Sequence, residues 1–213
     1  MRTRIRHVAF LLLSTMLAGC SAGSPGVASA LDTVSAAASP SAKAAAASQR
    51  SLGVLPVPAG ATPWKENTNA PMSRVAFVHV FYIQNAWTDE EAQYSRRGFV
   101  SGIREGWINA DGPQQAITIA RFATAAGAAS TLDDLKGSWK QQPKPVTMLA
   151  DPAIGAVGMS NPTLDSLGNA RVEFAATIGD YLIRVQEFTA ATPDPTDAKA
   201  LLQKQYDVLK SGS

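Results

Sequence analysis

The sequence predicts an α+β domain, an antiparallel sheet of about five strands with helices packed on one of its faces. Three observations carry this prediction. Residues 171–188 alternate apolar and polar side chains on either side of a Gly-Asp turn, and residues 99–122 contain a second pair of strand-like runs. Each pair is followed by a stretch with helical spacing of apolar residues. The pattern is that of two ββα units, and it leaves open whether one arose by duplication of the other.

The chain of 213 residues begins with a segment that contains three arginines. A run of twelve apolar or small residues follows at 8–19, directly before Cys20. A helix needs about 20 apolar residues to cross a bilayer, so this shorter run is typical of a signal peptide. The tetrapeptide at 17–20, Leu-Ala-Gly-Cys, resembles the lipobox of bacterial lipoproteins. That resemblance implies cleavage before Cys20, a diacylglyceryl group on its sulfur, and a protein anchored at the outer face of the cell membrane. An ordinary signal peptide cut near residues 28–30 is the alternative.

Composition divides the rest of the chain. Residues 20–50 hold the lipidated cysteine and an Ala/Ser-rich segment that we interpret as a flexible tether. Residues 51–213 have the composition of a single globular domain. Loss of residues 1–19 removes three arginines and no acid, so the net charge of +2 becomes −1. A chain without an excess of basic residues is not expected to bind nucleic acid.

In the first half of the domain, residues 72–86 are ambiguous between helix and strand, and their length favours a helix. Thr88 is predicted to open a capping box and a short helix through about Arg97. A strand should follow with Phe99, Ile103 and Trp107 on one face, then a turn at residues 111–112 and a strand at 117–122. A helix with its apolar stripe at 128, 132, 135 and 139 completes the unit.

In the second half, residues 145–149 could form a strand, and residues 150–169 are predicted to be a long loop. Residues 171–178 and 181–188 form a hairpin in which Ile178 lies opposite Tyr181 and Phe174 opposite Val185. This register places Arg171, Glu173, Arg184 and Gln186 together on a face expected to be partly solvated. Asp194 as N-cap and Pro195 at the first helical position begin the closing helix.

The residue types in the chain exclude several classes of site. His79 is the one histidine left after cleavage and is expected to be a core or boundary residue with a satisfied hydrogen bond. With Cys20 lipidated, neither a histidine-based metal cluster nor a Cys–His pair can be assembled. The acidic runs 89–91 and 133–134 are interpreted as solvated helix surface, because adjacent residues on a helix do not converge. We therefore predict no catalytic, cofactor or metal site.

Several segments together resemble the small extracytoplasmic α+β domains of actinobacterial lipoproteins and receptor kinases. They are the run Phe-Ala-Thr-Ala-Ala-Gly-Ala at 122–128, the Asp-Pro-Ala-Ile-Gly turn at 151–155, the late hairpin and the helix at 198–209. The resemblance covers roughly residues 70–210. It implies a sensor or ligand-binding module and assigns no functional residue.

The expected function is therefore that of a non-enzymatic, sensor-like surface lipoprotein that binds an envelope ligand or partner. The expected binding surface combines the polar sheet face with the loop at 150–169, and its residues are Arg104, Arg121, Arg171, Glu173 and Arg184. Two alternatives stay open. One is a structural subunit that docks on an envelope complex, which predicts a broad apolar patch. The other is an envelope enzyme, which predicts a pocket with converging carboxylates or a carboxylate near arginine.

Overall fold

The computed structural model describes residues 52–68, 70–110, 112–142, 146–190 and 192–212. The predicted signal peptide, Cys20 and the tether lie outside the described residues, as do Asp111 of the expected turn and Pro145 of the expected strand. The described part contains four α-helices and one antiparallel sheet of seven strands, two more than the sequence predicted. None of the helices in these ranges is long and apolar enough to span a bilayer.

The strands stand in the order β1-β2-β3-β7-β6-β5-β4, so that the two predicted hairpins meet at the centre of the sheet through β3 and β7. The elements in chain order are β1 (Thr62–Pro63), α1 (Arg74–Phe81), a 3-10 turn (Gln84–Ala86), α2 (Trp87–Arg96), β2 (Phe99–Ile108), β3 (Gln114–Phe122), α3 (Ala125–Lys140), β4 (Thr147–Asp151), β5 (Ala156–Asn161), β6 (Ala170–Ile178), β7 (Tyr181–Thr189) and α4 (Pro195–Ser211).

The hairpin β6–β7 has the predicted register. Ile178 lies opposite Tyr181 and Phe174 opposite Val185, and Gly179 takes a φ of 54° in the two-residue turn. Glycine suits this position because it adopts positive φ without a steric penalty. Local sequence therefore determined this hairpin.

The helices at 125–140 and 195–211 also follow their sequence signals. Asp194 caps α4 by accepting a hydrogen bond from the amide of Thr196, and Thr124 caps α3 by accepting one from the amide of Gly127. The capping box predicted at Thr88 is wrong. The 3-10 turn leads directly into α2, which begins at Trp87 with no side-chain cap.

The prediction that all helices share one face of the sheet is wrong. α4 packs on a face where Ile117, Ile119, Phe174 and Ile183 form a core with Leu202; we call it the α4 face. α1, α2 and α3 cover the opposite face, here called the α1–α3 face, whose core includes Phe77, Tyr94, Ala120, Phe122, Trp139 and Leu182. Each β-strand places successive side chains on opposite faces, and both faces of the central strands carry apolar groups.

Because α3 and α4 lie on opposite faces, the two ββα units are not packed as equivalent repeats. Ile117 and Ile119 face away from the helix that follows them, whereas Ile183 and Val185 face toward theirs. The two units therefore differ in how their strands pack against the helix that follows, and whether one arose by duplication of the other stays open.

Two further corrections concern β2 and the expected loop. The register of β2 against β3 shifts between Phe99 and Ser101, so Phe99 packs on the α1–α3 face while Ile103 and Trp107 pack on the α4 face. This bulge was not visible in the apolar spacing. The segment 150–169 is not one loop, since β4 continues to Asp151 and β5 pairs with both β4 and β6.

Candidate functional site

A polar cleft of about 440 Å3 opens between the helices of the α1–α3 face and the sheet beneath them. Its floor is formed by β6 and β7, and its walls by α2, α3 and the end of α1. The residues that line it are Phe81, Tyr82, Glu90, Gln93, Arg97, Thr131, Asp133, Asp134, Leu135, Gly137, Ser138, Trp139, Gln141, Gln142, Arg171, Glu173 and Arg184.

The floor centres on Glu173, whose side chain is 0% exposed. Arg184 donates to its Oε2 from Nε at 2.8 Å and from Nη2 at 2.6 Å. The Nε of Arg171 lies 3.0 Å from Oε1, and the amide nitrogen of Gln186 donates to the same oxygen at 3.3 Å. A buried carboxylate is tolerated when it is paired and hydrogen-bonded in this way.

These contacts set the protonation state of the floor. Burial raises the pKa of Glu173, but the charges of Arg184 and Arg171 and the hydrogen bonds from Arg184 and Gln186 outweigh it, so the pKa is held below its usual value. Burial acts to lower the pKa of Arg184, and Glu173 reverses that effect and raises it. Both groups therefore stay charged, and together with Arg171 they leave one net positive charge on the floor.

The walls are acidic. α2 contributes Glu90, and α3 contributes Asp133 and Asp134. Arg97 donates to the carboxylate of Asp134, and this ion pair joins the two helices. Burial raises the pKa of Glu90, Tyr82 and Arg97 oppose that shift, and the negative charge of Asp134 adds to it.

Tyr82 stands between the acidic wall and the basic floor. Burial is the main factor that raises its pKa, while Glu90 raises it further and Arg184 lowers it. The Tyr82 hydroxyl lies 3.3 Å from that of the buried Tyr94.

Gly127 lies in the first turn of α3, where the end of α2 meets it. A Cβ at this position would collide with the backbone carbonyl oxygen of Arg97, the C-cap of α2. Only glycine permits so close an approach between the end of α2 and the first turn of α3.

The five side chains predicted as a binding surface divide between three places. Arg171, Glu173 and Arg184 meet in the floor of the cleft. Arg104 lies on the same sheet face, with its guanidinium carbon 5.0 Å from the Trp64 ring centroid and 5.2 Å from that of Phe81. Burial and the charge of Arg184 lower its pKa. The face that holds these residues is covered by helices rather than partly solvated, which corrects the expectation from sequence.

Arg121 does not join the others. Its Nε donates to Asp180 at 3.0 Å, and its guanidinium carbon is 5.7 Å from the ring centroid of Tyr181, a residue that packs on the α4 face. The role of all five residues in binding stays a prediction.

Sequence reasoning missed the acidic walls. Glu90, Asp133 and Asp134 were interpreted as solvated helix surface because neighbours on one helix diverge. The cleft instead brings together carboxylates from two different helices. A sequence pattern within either helix contains no signal of this convergence.

His79 and the segment at 150–169 also differ from expectation. His79 is exposed on α1, with its ring stacked on Trp87 and Nε2 3.1 Å from Oε1 of Glu91. The hydrogen bond was predicted, but the core or boundary position was wrong. Residues 161–169 line a smaller depression of about 220 Å3 that shares Arg171 with the cleft. In the described ranges, no group of three histidine, cysteine or acidic side chains is placed to hold a metal ion.

Comparison with known proteins shows little. No protein-family model matches the sequence. No curated protein matches it either. Among solved structures, the extracellular domain of PknH from Mycobacterium tuberculosis is similar over 72% of this chain and 86% of that chain, with a TM-score of 0.48 and 11% sequence identity. A likeness this distant carries no argument about function, which rests on the cleft itself.

Proposed function

We propose that this chain is an extracytoplasmic binding module, held at the outer face of the cell membrane by lipid on Cys20, which takes its ligand or partner into the cleft without catalysing a reaction. The observation that carries the proposal is the cleft of about 440 Å3 with a completed ion network as its floor. Ligand sites are typically concave, with volumes of about 300–1,000 Å3 and a few well-placed polar groups.

The floor supports binding because its donors are already oriented. Arg184 donates to Glu173 from two nitrogens, which fixes the plane of its guanidinium group, and the Nε of Arg171 lies 3.0 Å from the other carboxylate oxygen. Ordering of these side chains therefore costs little when a ligand arrives. The oxygens of Glu173 are occupied and its pKa is lowered, so it is a poor proton acceptor, which favours a binding role over acid–base catalysis.

The anchor rests on the sequence. Two acyl chains on Cys20 would hold the protein stably on a membrane, where one chain would not. To test this, the full chain and its Cys20→Ser variant are expressed in a bacterium that processes lipoproteins, and membranes are separated from the medium. We expect the first in the membrane fraction with a lipid mass on its N-terminal cysteine, and the second without lipid and with its signal peptide uncleaved. An unmodified, freely released wild-type chain would overturn the anchor.

The cleft offers a way to test binding. Gly137 lines it, and a Cβ at this position would meet no atom within 4 Å, so Gly137→Trp should fill the cleft without disturbing the core. Ser130→Trp, on an exposed position of the same helix, is the matched control. A panel of envelope fragments is screened by thermal shift against the mature chain purified from membranes. We expect hits that Gly137→Trp abolishes and Ser130→Trp retains; hits insensitive to both changes would refute the cleft as the site.

A carboxylate-based envelope hydrolase is the second candidate, and one observation favours it. Glu90 and Asp134 converge in the cleft, and burial raises the pKa of Glu90, as general acids require. Asp134, however, is neutralised by Arg97. Cleavage of any envelope peptide or glycan by the wild type, lost in Glu90→Gln, would replace the binding proposal with this one.

A structural subunit would instead use exposed apolar surface. Val75, Val80 and Ile83, on and just after α1, are 43%, 42% and 72% exposed. If Val80→Asp released a membrane complex that Gly137→Trp left intact, docking through α1 would be favoured over binding in the cleft.

A further inference from the structure

The cleft carries opposite charges on its floor and its walls, and this separation points to one class of ligand. On the floor, Arg171 and Arg184 share the single carboxylate of Glu173. On the walls, the pair Arg97–Asp134 is internally neutral, which leaves the carboxylates of Glu90 and Asp133 without a cationic partner among the described residues. A positive charge on one side therefore faces negative charge on the other.

The floor can receive a carboxylate. Arg171 uses its Nε for Glu173, and its side chain is 31% exposed and lines the cleft. In the described ranges its Nη atoms have no protein partner. A guanidinium fork whose Nε is held in place presents its remaining donors in the geometry that carboxylates accept.

The walls can receive an ammonium group. Glu90 on α2 is partly exposed at the cleft, and Asp133 on α3, which forms the other wall, is exposed. The Tyr82 hydroxyl lines the same cleft. Carboxylates in a partly desolvated cleft attract a cation more strongly than they would in open water.

We propose that the cleft binds a zwitterion, a free amino acid or short peptide whose carboxylate meets Arg171 and whose ammonium group meets Glu90 and Asp133. A simple anion would be attracted by the floor and repelled by the walls. A simple cation would be attracted by the walls and repelled by the floor. This inference rests on the proposed binding function, because it names the ligand class of the same cleft.

The test uses the mature chain purified from membranes and calorimetric titration with four alanine tripeptides. One has both ends free, one is N-acetylated, one is C-amidated and one is blocked at both ends. We expect the free tripeptide to bind most tightly and each blocked end to weaken binding about tenfold or more, since each removes a charge-assisted hydrogen bond. Free alanine peptides of one to four residues then measure the separation of the two subsites, at about 3.3–3.6 Å per extended residue.

Two variants test which residue binds which end of the peptide. Arg171→Gln should remove the penalty for C-amidation and keep the penalty for N-acetylation, and Glu90→Gln should do the opposite. Lys204→Gln, at an exposed position of α4 on the other face of the sheet, is the control and should change neither penalty. Misfolding would weaken all four peptides together, so the selective loss of one penalty distinguishes recognition from instability.

The outcomes separate this inference from the proposed function. Equal binding of free and doubly blocked peptides, abolished by Gly137→Trp, would retain the cleft as a binding site and overturn the zwitterion. The absence of binding by all four peptides would also overturn the zwitterion, while the fragment screen decides on the binding function independently.

Discussion

Arg184 reaches diagonally across the β6–β7 ladder to Glu173, with Nη2 at 2.6 Å and Nε at 2.8 Å from the same carboxylate oxygen. The residue directly opposite Glu173 in the register is Gln186, whose amide bonds the other oxygen. The hairpin thus surrounds a fully buried carboxylate with partners from its own two strands and makes the floor of the cleft a local product of the β6–β7 register.

Glu173→Gln should destabilise the domain by about 3–5 kcal/mol, because removal of one partner leaves buried charge uncompensated. Arg171→Gln should cost no more than about 1 kcal/mol, since Arg171 is partly exposed and Arg184 still neutralises Glu173. Urea unfolding followed by circular dichroism measures both. Equal losses for the two variants would mean that the network does not depend on Glu173.

Low pH should reduce the stability of the wild-type domain through protonation of Glu173. The pKa of Glu173 is lower in the folded chain than its usual value near 4.5, so the unfolded chain binds the proton more readily. The stabilisation by Glu173 is therefore complete above that usual value and is lost as the pH falls through the lower, folded pKa. Melting temperatures of wild type and Glu173→Gln measured from pH 7 down to pH 2 should converge at the acid end; parallel curves would contradict this assignment.

Gly127→Ala should destabilise the domain by about 1–3 kcal/mol, because the added methyl group collides with the carbonyl of Arg97 and pushes α2 away from α3. Gly137→Ala, in the same helix with open space around its Cβ, should stabilise it by about 0.5–1 kcal/mol through helix propensity. Thermal melts compare the pair. A similar gain from both substitutions would show that the helices do not depend on this close approach.

Gln205 ties the start of the domain to α4. The residue is fully buried, its Oε1 accepts from the amide of Leu55 at 2.8 Å, and its Nε2 donates to the carbonyl of Gly53 at 2.9 Å. Gln205→Leu removes the side-chain hydrogen bonds to the amide of Leu55 and the carbonyl of Gly53 and should cost about 1–3 kcal/mol.

Hydrogen exchange should show where Gln205→Leu destabilises the domain. The amide of Leu55 is expected to exchange faster in Gln205→Leu, while Gln203→Ala, which removes only a bond to Asp207 on the helix surface, leaves it unchanged. Unchanged protection of Leu55 in Gln205→Leu would mean that apolar contacts alone hold this segment.

The sequence determined those features whose causes are local. Alternation around Gly179 sets the β6–β7 register, Asp194 and Pro195 begin α4, and the register alone brings Arg171, Glu173 and Arg184 together. Each depends on residues within one turn or one hairpin, where backbone geometry leaves few alternatives.

The tertiary structure decided what depends on contacts between distant segments. Ala175 and Leu182 lie on one apolar face of the sheet, and Phe174 and Ile183 lie on the other. Because both faces are apolar, the strand pattern could not assign α3 and α4 to opposite faces. The cleft arises in the same way. Glu90 and Asp134 line the same cleft only because the end of α2 meets the first turn of α3 at Gly127, a contact between segments that no periodicity within either helix encodes.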